Sequence, residues 1–309
     1  MKILSKDNFN KGCESINTYG RPIEKALLQR YFFNGSIEDV ITELKRFQNQ
    51  DGGFGNGLES DFRLPYSSAM ATSVGLRILC EIDENSESKE MIKAALKYLE
   101  QTFVGERNGW FAVSEEVNNF PHAPWWHYDD EDKMTAIDKN WGNPTAEILA
   151  YIFKYREYIK VLDVDSLIDY AINYIENKVS FESEHELYCY LKLYEVLPKE
   201  IKTKKLETKI KEAINQIVIY DESKWHEYVP TPIEFVNDLN SNRFGISENS
   251  INTNLDFIIS QLETHGKINP PWGASFYNEG LAEAYNEWIG ALTLNALIKL
   301  DKCNRIAEI

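Results

Sequence analysis

Gln48-Asn49-Gln50-Asp51-Gly52-Gly53-Phe54-Gly55-Asn56-Gly57-Leu58-Glu59-Ser60-Asp61 is the stretch on which the fold turns. Just upstream, Ile37, Val40, Ile41, Leu44 and Phe47 fall at helical spacing, with Glu38, Glu43, Lys45 and Arg46 opposite. That pattern predicts an amphipathic, one-sided helix. Gly52, Gly53, Gly55 and Gly57 then supply backbone freedom that other residues lack. Downstream, Ser67 to Leu76 carries no charge, which predicts a helix buried on most sides. The quoted stretch is therefore the joint of a helical hairpin. Asp51, at the turn, is expected to cap it by accepting from backbone N–H groups.

Outward from this joint the alternation recurs. Glu24 to Phe33 reads as a helix, with Pro22 suited to its start. Met91, Ile92, Ala95, Leu96 and Leu99 share a face opposite Lys89, Lys93 and Lys97. Asn143-Pro144 reads as an N-cap followed by proline at the first helical position, opening an apolar helix from Thr145 to Phe153. Amphipathic helices follow over 166–177 and around Leu206 to Ile217, with a partner near Glu186 to Val196. Leu255, Ile258, Ile259 and Leu262 mark another outer helix, and Trp288 to Ile298 the last buried one. Ile217-Val218-Ile219-Tyr220 is too isolated for a sheet and reads as a helix end. Hairpins that bury one face against their neighbours are the mark of helical repeats. The expected fold is all-α, an α/α toroid in which about five or six hairpins close into a double ring.

No Pro-, Gly- or Ser-rich linker divides the 309 residues, so a single domain over 1–309 is expected. A hydrophobic content of 43% is enough for a large core, and the net charge of −16 disfavours nucleic acid and anionic membranes. No apolar run approaches the ~20 residues of a membrane span. Met1 to Asp7 has no signal-peptide stretch, and Cys13, Cys80, Cys189 and Cys303 are scattered. These features predict a cytoplasmic chain with reduced thiols, no cofactor and no metal.

In such a ring the outer-to-inner joints, at 50–66, 104–143, 179–184, 218–231 and 265–281, share one end. Six of the seven tryptophans fall in them, among them Trp125, Trp126, Trp141 and Trp272, and Trp288 stands just beyond the last. His122, His127, His226 and His265 fall there too. Loops at one rim of a rigid scaffold are where binding and catalysis concentrate.

Gln48-x-x-x-Gly52-Gly53-Phe54, behind an amphipathic helix, resembles the Gln/Trp repeat of the terpenoid-cyclase and protein-prenyltransferase α/α toroids. Gln261 to Ile268 looks like a degenerate copy with one extra residue, and Asn108-Gly109-Trp110 keeps only the end of the pattern. The resemblance implies the squalene-cyclase-like toroid in a single-domain form, an apolar isoprenoid-like ligand, and cyclisation started by a carboxylic acid. The chain departs from both known chemistries. Neither Asp129-Asp130-Glu131-Asp132 nor Asp163-Val164-Asp165-Ser166 matches the Asp-x-Asp-Asp acid motif. Asp301-Lys302-Cys303 has the local spacing of the prenyltransferase zinc ligands, but no histidine follows it.

The richest stretch for chemistry is Pro121-His122-Ala123-Pro124-Trp125-Trp126-His127-Tyr128-Asp129, inside a joint far longer than the usual ~4–6 residues. Aromatic faces stabilise cations, and a carboxyl desolvated among them has a raised pKa and can serve as an acid. The same combination suits sugar stacking. Catalytic candidates are therefore Asp129, Asp61, Glu59 and His127. Ligand-binding candidates are Trp125, Trp126, Tyr128, His122, Trp141, His226, Trp272, Glu279 and Trp288. Glu279, Glu283 and Glu287 also form an i, i+4, i+8 row beside Trp288. Three readings stay open: a toroid binding an apolar ligand, an α/α-barrel glycoside hydrolase or polysaccharide lyase, and a non-catalytic binding or scaffold protein. The expected partner is a small apolar or carbohydrate molecule. Trp125, Trp126, His127 and Asp129 are expected to meet Glu59, Asp61, His226, Trp272 and Glu279 at one end of the ring.

Overall fold

The computed structural model describes residues 1–278 and 280–308. Its described residues form eleven α-helices and one two-stranded antiparallel ribbon, Tyr128–Asp129 with Met134–Thr135. The chain is all-α, as the periodicity predicts. None of its helices is long and apolar enough to cross a membrane, among the described residues.

The chain divides into two compact units, Met1–Glu43 with Val218–Ile309, and Leu44–Ile217. The sequence reads instead as one undivided domain. The boundaries leave no mark in composition because one falls inside α3 (Ile37–Lys45) and the other directly after a helix end.

In the Leu44–Ile217 unit the helices are α4 (Ala69–Leu79), α5 (Ser86–Gln101), α6 (Gly142–Lys154), α7 (Val164–Asn177), α8 (Glu184–Val196) and α9 (Lys204–Ile217). α6 packs between α4 and α8, forming one row. α5 lies on α4, α7 on α6, and α9 on both α7 and α8, forming a second layer. In the first row α4 and α6 are buried on most sides, while α8 buries one stripe. Every residue of α6 from Gly142 to Ile152 is buried, whereas α5, α7 and α9 each bury a single stripe. Burial thus follows the hydrophobic pattern at α4 and α6, and the alternation lapses at α8.

The 48–61 joint shows why its residues are what they are. Gly52 has φ +93, and a Cβ there would stand 2.3 Å from the Ala94 carbonyl oxygen of α5. The backbone therefore lies flat on the next outer helix, where only glycine fits. Gln48 Nε2 donates to Gly52 O (2.9 Å) and to Met91 O (3.1 Å), tying the end of α3 to both joint and α5. Phe54 is fully buried, and a Cβ on Gly75 would meet its ring at 2.7 Å. Asp51 accepts from Gly53 N (3.0 Å) and Ser67 Oγ (2.7 Å), the capping role expected of it. Side chains near other outer-helix ends act alike. Glu100 accepts from the N–H groups of Lys160, Val161 and Leu162, and Gln216 bonds Phe181 N and Val179 O.

In the other unit α1 (Lys6–Tyr19) packs on α2 (Pro22–Phe32), α10 (Glu248–His265) and α11 (Ala282–Lys302). α1 has no counterpart in the sequence reading. Its apolar residues Phe9, Cys13 and Ile16 are sparse among Asn, Ser, Lys and Glu, which blurs the stripe. The chain ends meet through Leu4 N donating to Arg305 O (2.8 Å), and Arg305 is buried against Asn252 and Asp256. At α6, Asn143 is non-helical and its bond to Pro144 is cis, so this pair is not the simple N-cap and first-turn proline expected.

Candidate functional site

Two segments carrying most of the predicted residues come together in the Leu44–Ile217 unit. Arg63 N donates to Pro121 O and Ala123 N to Asp61 O, both at 2.8 Å, an antiparallel bridge centred on Phe62 and His122. Neighbouring residues in such a pair face opposite ways. Phe62 and His122 share one face and Asp61 with Ala123 the other. On the first face, Phe62 meets Trp126 edge-on at 5.2 Å, and His122 stacks on His127 at 5.5 Å. Trp125 is half-buried beside them in sequence. Trp126 is buried at 4% exposure, and its Nε1 has no hydrogen-bond partner among the described residues.

The histidine pair has a defined polarity. His122 Nδ1 lies 2.7 Å from Phe120 O, a group that only accepts, so Nδ1 carries the proton. His122 Nε2 lies 3.3 Å from His127 Nδ1 and, in the neutral tautomer, accepts from it. The exposed His127 is left with Nε2 as a bare acceptor.

Other predicted residues take different places. Asp129 is exposed, and its Oδ1 accepts from Glu131 N and Asp132 N, each at 2.8 Å. Those two backbone bonds hold its carboxyl below the usual range. The desolvated, protonated acid expected there is thus replaced by an ionised turn cap. Asp61 is buried at 5% exposure, on the opposite face of the pair from Phe62. Glu59 accepts from Asp61 N (3.3 Å). Tyr128 is held at the ribbon by backbone bonds to and from the Asn118 side chain. Trp141, expected at a ligand, is buried, donates Nε1 to Arg107 O (2.9 Å) and packs against Tyr170, Tyr174 and Tyr190. It closes the core, since an indole N–H with a carbonyl partner is satisfied inside.

In the other unit Trp272 meets Trp288 (5.4 Å) and Tyr228 (5.2 Å) edge to face, and donates Nε1 to Tyr277 OH (2.5 Å). His226 is exposed and edge-on to Phe257 at 5.0 Å. Glu279 lies outside the described residues. The predicted set is therefore divided between the units.

One arrangement escaped the sequence reading. Glu147 on α6 is buried at 3% exposure and accepts both Arg77 Nε and Nη2 from α4, each at 2.9 Å. Lys192 Nζ of α8 donates to the same carboxylate at 2.6 Å, and the Tyr151 hydroxyl also donates to it. Burial pushes the Glu147 carboxyl up, but Arg77 and Lys192 outweigh it and hold it well below the carboxylate range. Burial and the adjacent Arg77 charge push Lys192 below the ordinary lysine range, and Glu147 recovers only part. The signal in the sequence was a lone Glu within an otherwise apolar helix, and a lone Arg near the end of another.

Fold and site together define a two-layered array of helical hairpins with an aromatic and imidazole cluster at one joint. Comparison with protein-family models, curated proteins and solved structures found no match.

Proposed function

We propose that the chain is an α/α toroid of the terpenoid-cyclase and protein-prenyltransferase kind, and that its 104–143 joint binds an apolar alcohol of isoprenoid type. The layered rows of α4, α6, α8 and α5, α7, α9, with Gln48 tying the end of α3 to α5, support the toroid. The observation that carries the ligand reading is the stacked His122–His127 pair, whose His122 pairs across the backbone bridge with Phe62, itself edge-on to Trp126. An apolar chain would lie on the aromatic faces of Trp125 and its neighbours. Its hydroxyl would donate to His127 Nε2. The reading is one of binding rather than acid-started cyclisation, because Asp129 is ionised and Asp61 faces away from Phe62.

Calorimetric titration with farnesol tests this, with xylohexaose as the carbohydrate arm. Farnesol should bind saturably, and Trp125→Ala should weaken it about tenfold, the scale of one aromatic anchor. Xylohexaose should not bind. Saturable binding of the sugar alone would replace this reading with the carbohydrate one, and binding of neither would end both.

A further inference from the structure

We propose that Arg77 and Lys192 form a binding site for an oxyanion, a carboxylate or phosphate group, on the α4–α6–α8 row. The inference rests on the ionic cluster alone and does not depend on the ligand at the 104–143 joint. Two cations converge on one carboxylate, so the cluster holds a surplus positive charge. Neither cation has another carboxylate within salt-bridge distance among the described residues. A single guanidinium would neutralise Glu147, since Arg77 already engages both of its oxygens. Lys192 is in excess. The surplus cation is held in place by Glu147 with part of its surface open, where an anion can reach it. In a chain of net charge −16 this local surplus stands out further.

The donors are also placed to receive one. Arg77 and Lys192 keep 48% and 33% of their side-chain surface exposed, while Glu147 beneath them keeps 3%. Glu147 takes the Nε–Nη2 edge of Arg77, leaving the Nη1 N–H groups directed elsewhere. Lys192 spends one N–H of three on Glu147. Glu147 thus acts as a positioning residue that holds both cations, from different helices, side by side. Guanidinium and ammonium donors set together in this way match the several acceptor oxygens of a carboxylate or phosphate.

Titration of the full chain with inorganic phosphate and with acetate, at fixed ionic strength in chloride, tests the site. Either anion binding supports it, and the tighter one identifies the group. Lys192→Met keeps the Arg77–Glu147 pair and so keeps the fold. It should weaken binding about tenfold or more, as loss of one charge-assisted hydrogen bond requires. Arg77→Met, which keeps the Lys192–Glu147 pair, should weaken binding by a similar factor. A purely structural cluster would leave neither anion distinguished from chloride. Equal affinity in wild type and Lys192→Met would overturn the proposal.

Discussion

Gly52→Ala is expected to cost about 2–5 kcal/mol, combining a left-handed backbone penalty with overpacking. The chain holds Gly52 at φ +93, and a Cβ would sit 2.3 Å from Ala94 O and 2.7 Å from Ala94 C. That contact is with the backbone of α5, which cannot swing away as a side chain would. Relief would lift the joint from α5 and break the Gln48 bond to Met91 O. Gly105→Ala is the control, since nothing lies within 4 Å of its added Cβ and its φ is not positive. It should stay within about 0.5 kcal/mol of wild type. Urea denaturation followed by helical circular dichroism reads both. Equal midpoints for the two variants would show that the joint does not depend on this close approach.

Glu147→Ala is the second large effect, expected at about 1–3 kcal/mol, because the Tyr151 hydroxyl loses its buried acceptor while the partly exposed Arg77 and Lys192 lose their shared partner. Arg77 and Lys192 would then repel each other, and Tyr151 would lose its acceptor. Adding Lys192→Met to Glu147→Ala should restore part of the loss, because it removes that repulsion. A double variant worse than the sum of the singles would contradict the surplus-charge account. The pH dependence has a definite sign. Glu147 has a folded pKa below its unfolded value, so it stabilises the fold above about pH 4.3. That stability is lost as pH falls from there toward the folded pKa. Lys192 has a lowered folded pKa, so the unfolded chain binds more protons and stability rises with pH up to about 10.4. Lys192→Met should abolish the alkaline rise, and Glu147→Gln should shrink the acid loss.

Much of this fold was legible in the periodicity, and the reasons for the exceptions are physical. α3, α5, α7 and α9 announced themselves because one face of each is charged and the other apolar. The joint at 48–61 was legible because close backbone approach admits only glycine. α1 was not, since its buried residues are few and its polar ones favour loops as much as helices. The candidate site was legible in part. The bridge of 61–63 with 121–123 joined the two segments that carry most of the candidates. Which of them would face which side depends on strand register, which no spacing between separate segments reveals. Asp129 looked like a desolvated acid because aromatics precede it, yet the following turn takes its oxygens. Trp141 stood in a joint but turned inward, since Arg107 O lay within reach of its N–H. Arg77, Glu147 and Lys192 are far apart in sequence, and only packing of three helices reveals that they share one carboxylate.

A crystal structure of the chain with farnesol addresses the central proposal most directly. The account predicts alternate helices closed into a double ring. It also predicts density along Trp125, with the hydroxyl within about 3.2 Å of His127 Nε2. An open array of hairpins, or farnesol seated away from the 104–143 joint, would contradict it.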